Sequence, residues 1–126
     1  MRVVAFIIIC LALIIGVGFY TTALINTTAE ELSHYIDRLE KNIVQENWEE
    51  STKDIGELSK AWSKTKENWL LFLDHQEIDN IDLTYTRLNK YVETKELPSA
   101  LAEVAALKLL VQHIPNISAL NLRNIF

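Results

Sequence analysis

The chain has 126 residues, with 12 Lys and Arg against 17 Asp and Glu, for a net charge of −5. That length leaves room for one modest hydrophobic core beside any membrane segment. The acidic balance argues against a phosphate-backbone partner, so no nucleic acid is expected. The single cysteine, Cys10, lies in an apolar run, which excludes a disulfide or a cysteine-based metal centre from the rest of the chain.

Residues 3–20 read VVAFIIICLALIIGVGFY, without a charge or a strongly polar side chain. Extended to Ile25, the run makes a helix of about 34 Å, enough to cross a hydrocarbon core of about 30 Å. Thr21-Thr22-Ala23 and Thr27-Thr28-Ala29 offer small residues for cleavage. The apolar core nevertheless exceeds the roughly 7 to 15 residues of a signal peptide, which favours a retained transmembrane anchor over residues 1–25. Arg2 precedes the run, whereas Glu30, Glu31 and Asp37 follow it before the first cation, Arg38. The positive-inside rule then leaves the amino terminus cytoplasmic and the C-terminal domain extracytoplasmic. Ala5, Ala12, Gly16 and Ala23 fall along one side of this helix and form a candidate face for packing within the membrane.

Residues 26–126 hold all 17 acidic residues and all but one of the 12 basic ones, a net −6, with Gly56 as their one glycine. Such scarcity of turn formers predicts helices. Thr28 with Glu31 fits a capping box, and Leu32, Tyr35, Ile36, Leu39 and Ile43 recur at helical spacing, giving helix one over about 28–47. Trp48, Ile55, Trp62 and Trp69 are each seven apart, with Leu58 and Phe72 at the companion heptad position, so helix two covers about 48–73. Indoles at this spacing could line a carbohydrate or peptide groove; a core seam is the better reading. Asp74 and Glu77 read as the cap of helix three, about 77–94, whose apolar face carries Ile78, Ile81, Tyr85, Leu88 and Val92. Pro98 suits the first turn of helix four, about 98–114, and Pro115 is expected to stop it. Short links between the four predict an all-α fold, an N-terminal transmembrane helix followed by an antiparallel four-helix bundle. The apolar tail, with Leu120, Leu122, Ile125 and Phe126, is expected to fold back onto it.

Helix four is apolar almost all round and is expected to be the most buried. Within it Glu103 projects between Leu107, Leu110 and Ile114 and needs a hydrogen bond or a cation. The candidates are His75, Arg87, His113 and the hydroxyls of Tyr85 and Tyr91. His75, Asp79 and Asp82 would share a face at i, i+4 and i+7, where a metal is conceivable, although capping and a solvated acidic face explain the same residues. Glu31 and His34 make one Glu-x-x-His pair, and a di-iron bundle needs a second. The chain has no phosphate loop and no nucleophile elbow, so no catalytic, cofactor or metal residue is assigned.

Three blocks carry a resemblance: Trp69 with Asp74-His75-Gln76-Glu77-Ile78-Asp79 and on to Arg87-Leu88 and Tyr91; Ala100-Leu101-Ala102-Glu103, Leu107-Lys108 and His113-Ile114-Pro115; and the ending Leu120-Asn121-Leu122-Arg123-Asn124-Ile125-Phe126. Together they resemble a bacterial family of small, single-anchor membrane proteins known only as a domain of unknown function. The resemblance implies no activity. Its recurring acidic and histidine positions fall on His75, Glu77, Asp79, Glu103 and His113, and it implies a membrane-protein partner. The expectation is therefore a single-pass protein of the bacterial cytoplasmic membrane, a helical interaction or scaffold domain that binds a membrane protein or another copy of itself. A ligand or metal sensor using the His75 and Glu103 regions is the alternative.

Overall fold

The computed structural model describes the backbone of residues 1–125 and the side chains of residues 1–117. Four helices follow in order: α1 Arg2–Val44, α2 Trp48–Trp69, α3 His75–Glu93 and α4 Leu97–Ile125. No strand occurs among the described residues.

The apolar run and helix one form a single helix of 43 residues, in place of an anchor followed by a separately capped helix. Thr28 caps nothing. Its hydroxyl donates back to the Leu24 and Ile25 carbonyls at 2.8 and 3.1 Å, and Thr21, Thr22 and Thr27 donate in the same way to the carbonyl four residues earlier. A threonine hydroxyl bonded to its own helix needs no helix end. The first half of α1 is exposed along its length, and burial begins at Ile25. From there Ala29, Leu32, Ile36, Leu39 and Ile43 face the core at 0 to 4 % exposure.

Two three-residue links have the same construction. After α1, Glu46 takes φ 54°, its N–H donates to the Ile43 carbonyl, and the Asn47 N–H donates to the Asn42 carbonyl, both at 2.9 Å. After α3, Lys95 takes φ 58°, and the Lys95 and Glu96 N–H groups donate to the Val92 and Tyr91 carbonyls. Both are Schellman closures that satisfy the last carbonyls of a helix, with a side chain where glycine is usual. Asn47 then caps α2 by accepting from the Glu50 N–H, and Asp74 caps α3 by accepting from the Gln76 N–H. Helix α2 therefore ends at Trp69, short of residue 73, and α3 begins at His75. Phe72, assigned by heptad to the seam, is 41 % exposed in the turn.

Helix α4 does not stop at Pro115. Proline lacks only its own N–H and crowds the carbonyl four residues back, so the ladder on either side can persist. The apolar tail is helical to Ile125; whether Leu120, Leu122, Ile125 and Phe126 pack onto the bundle lies outside the described side chains. Nor is α4 buried all round. Ala100, Val104, Leu107, Val111 and Ile114 face the core, whereas Leu109 is 68 % exposed, and Ala102 and Ala105 also face outward. Much of its all-round apolar character is alanine, whose outward exposure costs little.

Contacts join α1 to α2 and α4, and α3 to α2 and α4, so the helices stand in a ring in chain order. Inter-helix bonds fix their directions: Arg38 meets Asp54 while Thr28 meets Trp69, and Trp62 meets Asp82 while Tyr85 reaches the Ile55 carbonyl. Rising numbers on one helix meet falling numbers on the next, which makes neighbours antiparallel. The centre closes on an apolar gap of about 10 Å³, about the room that one water needs and too little for a ligand.

Candidate functional site

Polar side chains cross every seam of the ring in a repeated arrangement. Between α1 and α2, Arg38 Nε donates to Asp54 Oδ1 at 2.8 Å, Asn42 Nδ2 donates to Asp54 Oδ2, and Arg38 also reaches Glu57. Between α2 and α3, Trp62 Nε1 donates to Asp82 Oδ1 at 2.6 Å and Lys66 pairs with the other oxygen. Between α3 and α4, Arg87 Nε donates to Glu103 Oε1 at 3.0 Å. Between α4 and α1, Lys108 Nζ lies 2.7 Å from Asp37 Oδ1 and 3.9 Å from Glu40 Oε1.

In each seam the earlier helix supplies the cation and the next one the carboxylate, and α4 closes the circle onto α1. Such pairs add modest stability where solvent reaches them, but they penalise any slip of one helix along its neighbour. Asp54 is the deepest member, at 4 % exposure. Beside Lys108, the hydrogen bond to Asp37 and then the charge of Glu40 hold the ammonium above the ordinary lysine range.

This ring accounts for two of the sequence candidates. Arg87 is the partner of Glu103, whose second oxygen, Oε2, is buried without a hydrogen bond. Asp82, grouped by spacing with His75 and Asp79, is held instead by Trp62 and Lys66. The remaining candidates are dispersed: His75, Asp79 and His113 are exposed and Glu77 is half-buried. His75 and Arg87, the residue that holds Glu103, are separated by about 18 Å along α3 at 1.5 Å per residue. Among the described residues no group of three or more His, Cys, Asp or Glu is placed to hold a metal ion.

Of the tryptophans, Trp69 is fully buried, Trp62 is 5 % exposed and Trp48 is half-buried at the start of α2. The Trp62 and Trp69 rings meet edge to face, with centroids 5.6 Å apart, a favourable aromatic geometry inside a core. Apart from Glu103 and its candidate partner Arg87, the sequence does little to reveal the polar ring, because its partners lie on different helices. The one local sign was acid at positions that should face a neighbour, as Asp54 does one residue before Ile55.

The large exposed surface is apolar and lies on α1, where Ala5, Ala12, Gly16 and Ala23 are all open among exposed Phe6, Ile7, Leu13 and Phe19. Two helical stretches are long and apolar enough to cross a membrane, one in α1 and the other at Leu97–Ile117 of α4. The second supplies Val104, Leu107 and Val111 to the bundle core, whereas the apolar window of the first buries nothing.

These features define an all-α bundle domain whose cross-helix carboxylates are engaged at its seams and whose first helix runs on as an apolar extension. The chain belongs to the family described as Domain of unknown function (DUF4363), which matches residues 19–125. Comparison with curated proteins and with solved structures gives no match.

Proposed function

We propose that this protein is a membrane-tethered interaction domain: the first half of α1 spans a bacterial cytoplasmic membrane once, and the bundle stands on its outer side and binds a membrane protein or a second copy. One observation carries the reading. Residues 3–20 expose a nearly unbroken apolar surface and, without a break in the helix, α1 becomes one of the four helices of the bundle at Ile25. An exposed apolar patch of that size needs a cover, and its length suits lipid. The unbroken helix ties the orientation of the bundle to that of the span, which suits a part that presents a surface at a fixed height above the membrane.

Site-directed photo-cross-linking in cells tests the reading, with probes on the exposed faces of α3 and α4 in the full chain and in a chain shortened to begin at Ile25. A discrete adduct with a membrane protein or with a second copy, formed only by the full chain, supports it. Identical adducts with soluble proteins from both chains would contradict it.

A further inference from the structure

Among the described side chains outside the span, the turn between α2 and α3 is the most apolar exposed stretch. Leu70, Leu71 and Phe72 are 37, 76 and 41 % exposed in succession, before Leu73 turns into the core. Three adjacent large apolar side chains at a turn are unusual, because turns ordinarily carry polar residues.

Position gives the stretch a meaning. Trp69, immediately before it, donates its indole N–H to Thr28 of α1 at 2.9 Å, and Thr28 is three residues past the end of the apolar run. Since α2 runs antiparallel to α1, the chain beyond Trp69 heads toward the span. Three residues of tight turn carry it about 5 Å further, level with Ile25 and Leu24, at 1.5 Å per residue. The interfacial zone of a bilayer extends about 5 to 7 Å beyond each face of its hydrocarbon core; exposed Phe19 and Tyr20, about 6 to 9 Å deeper along α1 than the turn, mark the inner edge of that zone, where aromatic side chains are favoured.

The backbone of the turn is prepared for such a place. The N–H groups of Leu70, Leu71, Phe72 and Leu73 donate to the carbonyls of Lys66, Asn68, Trp69 and Trp69 at 2.9 to 3.3 Å. Four consecutive donors are thus satisfied internally, so the turn can leave water without stranding them.

We infer that Leu70, Leu71 and Phe72 form a second membrane contact, seated in the headgroup region of the same bilayer that α1 crosses. The inference rests on the anchor reading. Two points of contact, the span and the turn on the opposite side of the α1–α2 seam, fix the tilt and rotation of the bundle, which one helix alone does not.

The test uses the full chain with Cys10→Ser and a single cysteine at residue 71, 17 or 49, each labelled with an environment-sensitive fluorophore. The labelled chains are reconstituted in phosphatidylcholine–phosphatidylglycerol vesicles, and helicity is checked for each. Glu49 lies about 30 Å along α2 from Trp69 and reports the far end. The label at 71 should emit blue-shifted light, be quenched by nitroxide lipids labelled near the headgroup, and be several-fold less accessible to iodide than the label at 49. A label at 17 quenched by deep nitroxides alongside a label at 71 that behaves like the one at 49 would overturn the inference and leave the anchor standing. Both labels in water would overturn the anchor and the inference with it. A label at 71 shielded from iodide yet untouched by lipid quenchers would mean that the turn contacts protein, and would equally overturn it.

Discussion

Trp69 of α2 donates its indole N–H to the Thr28 hydroxyl of α1 at 2.9 Å, and that hydroxyl itself donates to the Leu24 carbonyl. One threonine thus joins the helix below the bundle to the deepest tryptophan in it. Thr28→Val keeps the shape and leaves a buried indole donor unpaired, a loss of about 1 to 3 kcal/mol. Trp69→Phe removes the donor as well as ring volume. The double variant should cost less than the sum of the two by a measurable coupling energy. Denaturant unfolding of the four proteins checks this, and strict additivity would mean that the bond contributes nothing.

Asp54 should be the most sensitive member of the polar ring. Asp54→Ala strands Asn42 and part of Arg38. Breaking a buried pair costs about 3 to 5 kcal/mol, reduced here to about 1 to 3 because Arg38 is half exposed. Arg38→Ala should cost less than Asp54→Ala, since Asn42 remains bonded to the carboxylate. The order of the two losses in chemical denaturation is the check.

Glu103→Ala removes the acceptor of Arg87, whose side chain is 45 % exposed and can turn to water, so a loss of about 1 kcal/mol is expected. Glu103→Gln keeps an oxygen acceptor for Arg87 Nε, with its N–H₂ at the position of the unpaired oxygen, and gives up only the charge, so it should fall between the wild type and Ala. Unchanged stability in both variants, with loss of cross-linked partner, would make Glu103 an interaction residue instead.

Lys108 joins α4 to α1, and its raised pKa fixes the sign of any pH effect. A base held charged above its ordinary range contributes fully below that range, and the contribution fades only as pH rises through the folded value. The difference in melting temperature between Lys108→Met and the wild type should therefore be constant between about pH 6 and 9 and shrink only at higher pH. A difference that already shrinks between those values would contradict the pairing.

Lys95 closes α3 in a left-handed conformation, which costs a residue with a side chain about 1 kcal/mol relative to glycine. Lys95→Gly should raise stability by up to about 1 kcal/mol, the freer unfolded chain offsetting part of the gain. A fall in melting temperature would mean that the Lys95 side chain contributes more than its backbone strain.

Helix periodicity made most of this architecture readable in the chain. The indoles at 62 and 69, Ile55 and Leu58 face inward because seven-residue spacing keeps one face turned to its neighbour. The break expected at Thr28 did not occur: the string Thr-Thr-Ala-Glu-Glu has the composition of a cap, and only Trp69, 41 residues away, reveals where the hydroxyl belongs. Phe72 misled for a similar reason, since its heptad position presumes a helix that Asp74 ends by capping α3. The apolar face of α4 marks Glu103 as a carboxylate in need of a partner, but the choice of Arg87 among five candidates requires the register of α3 on α4. The acids at 37, 54 and 82 give little local sign of a ring, because each finds its cation on another helix.

Protease added to intact cells expressing the full chain with a C-terminal tag tests the tether most directly. The account predicts loss of the tag from intact cells, with a short N-terminal fragment left in the membrane fraction. Protection of the tag until the cells are lysed, or a soluble chain that begins near Leu24 or Glu30, would contradict it.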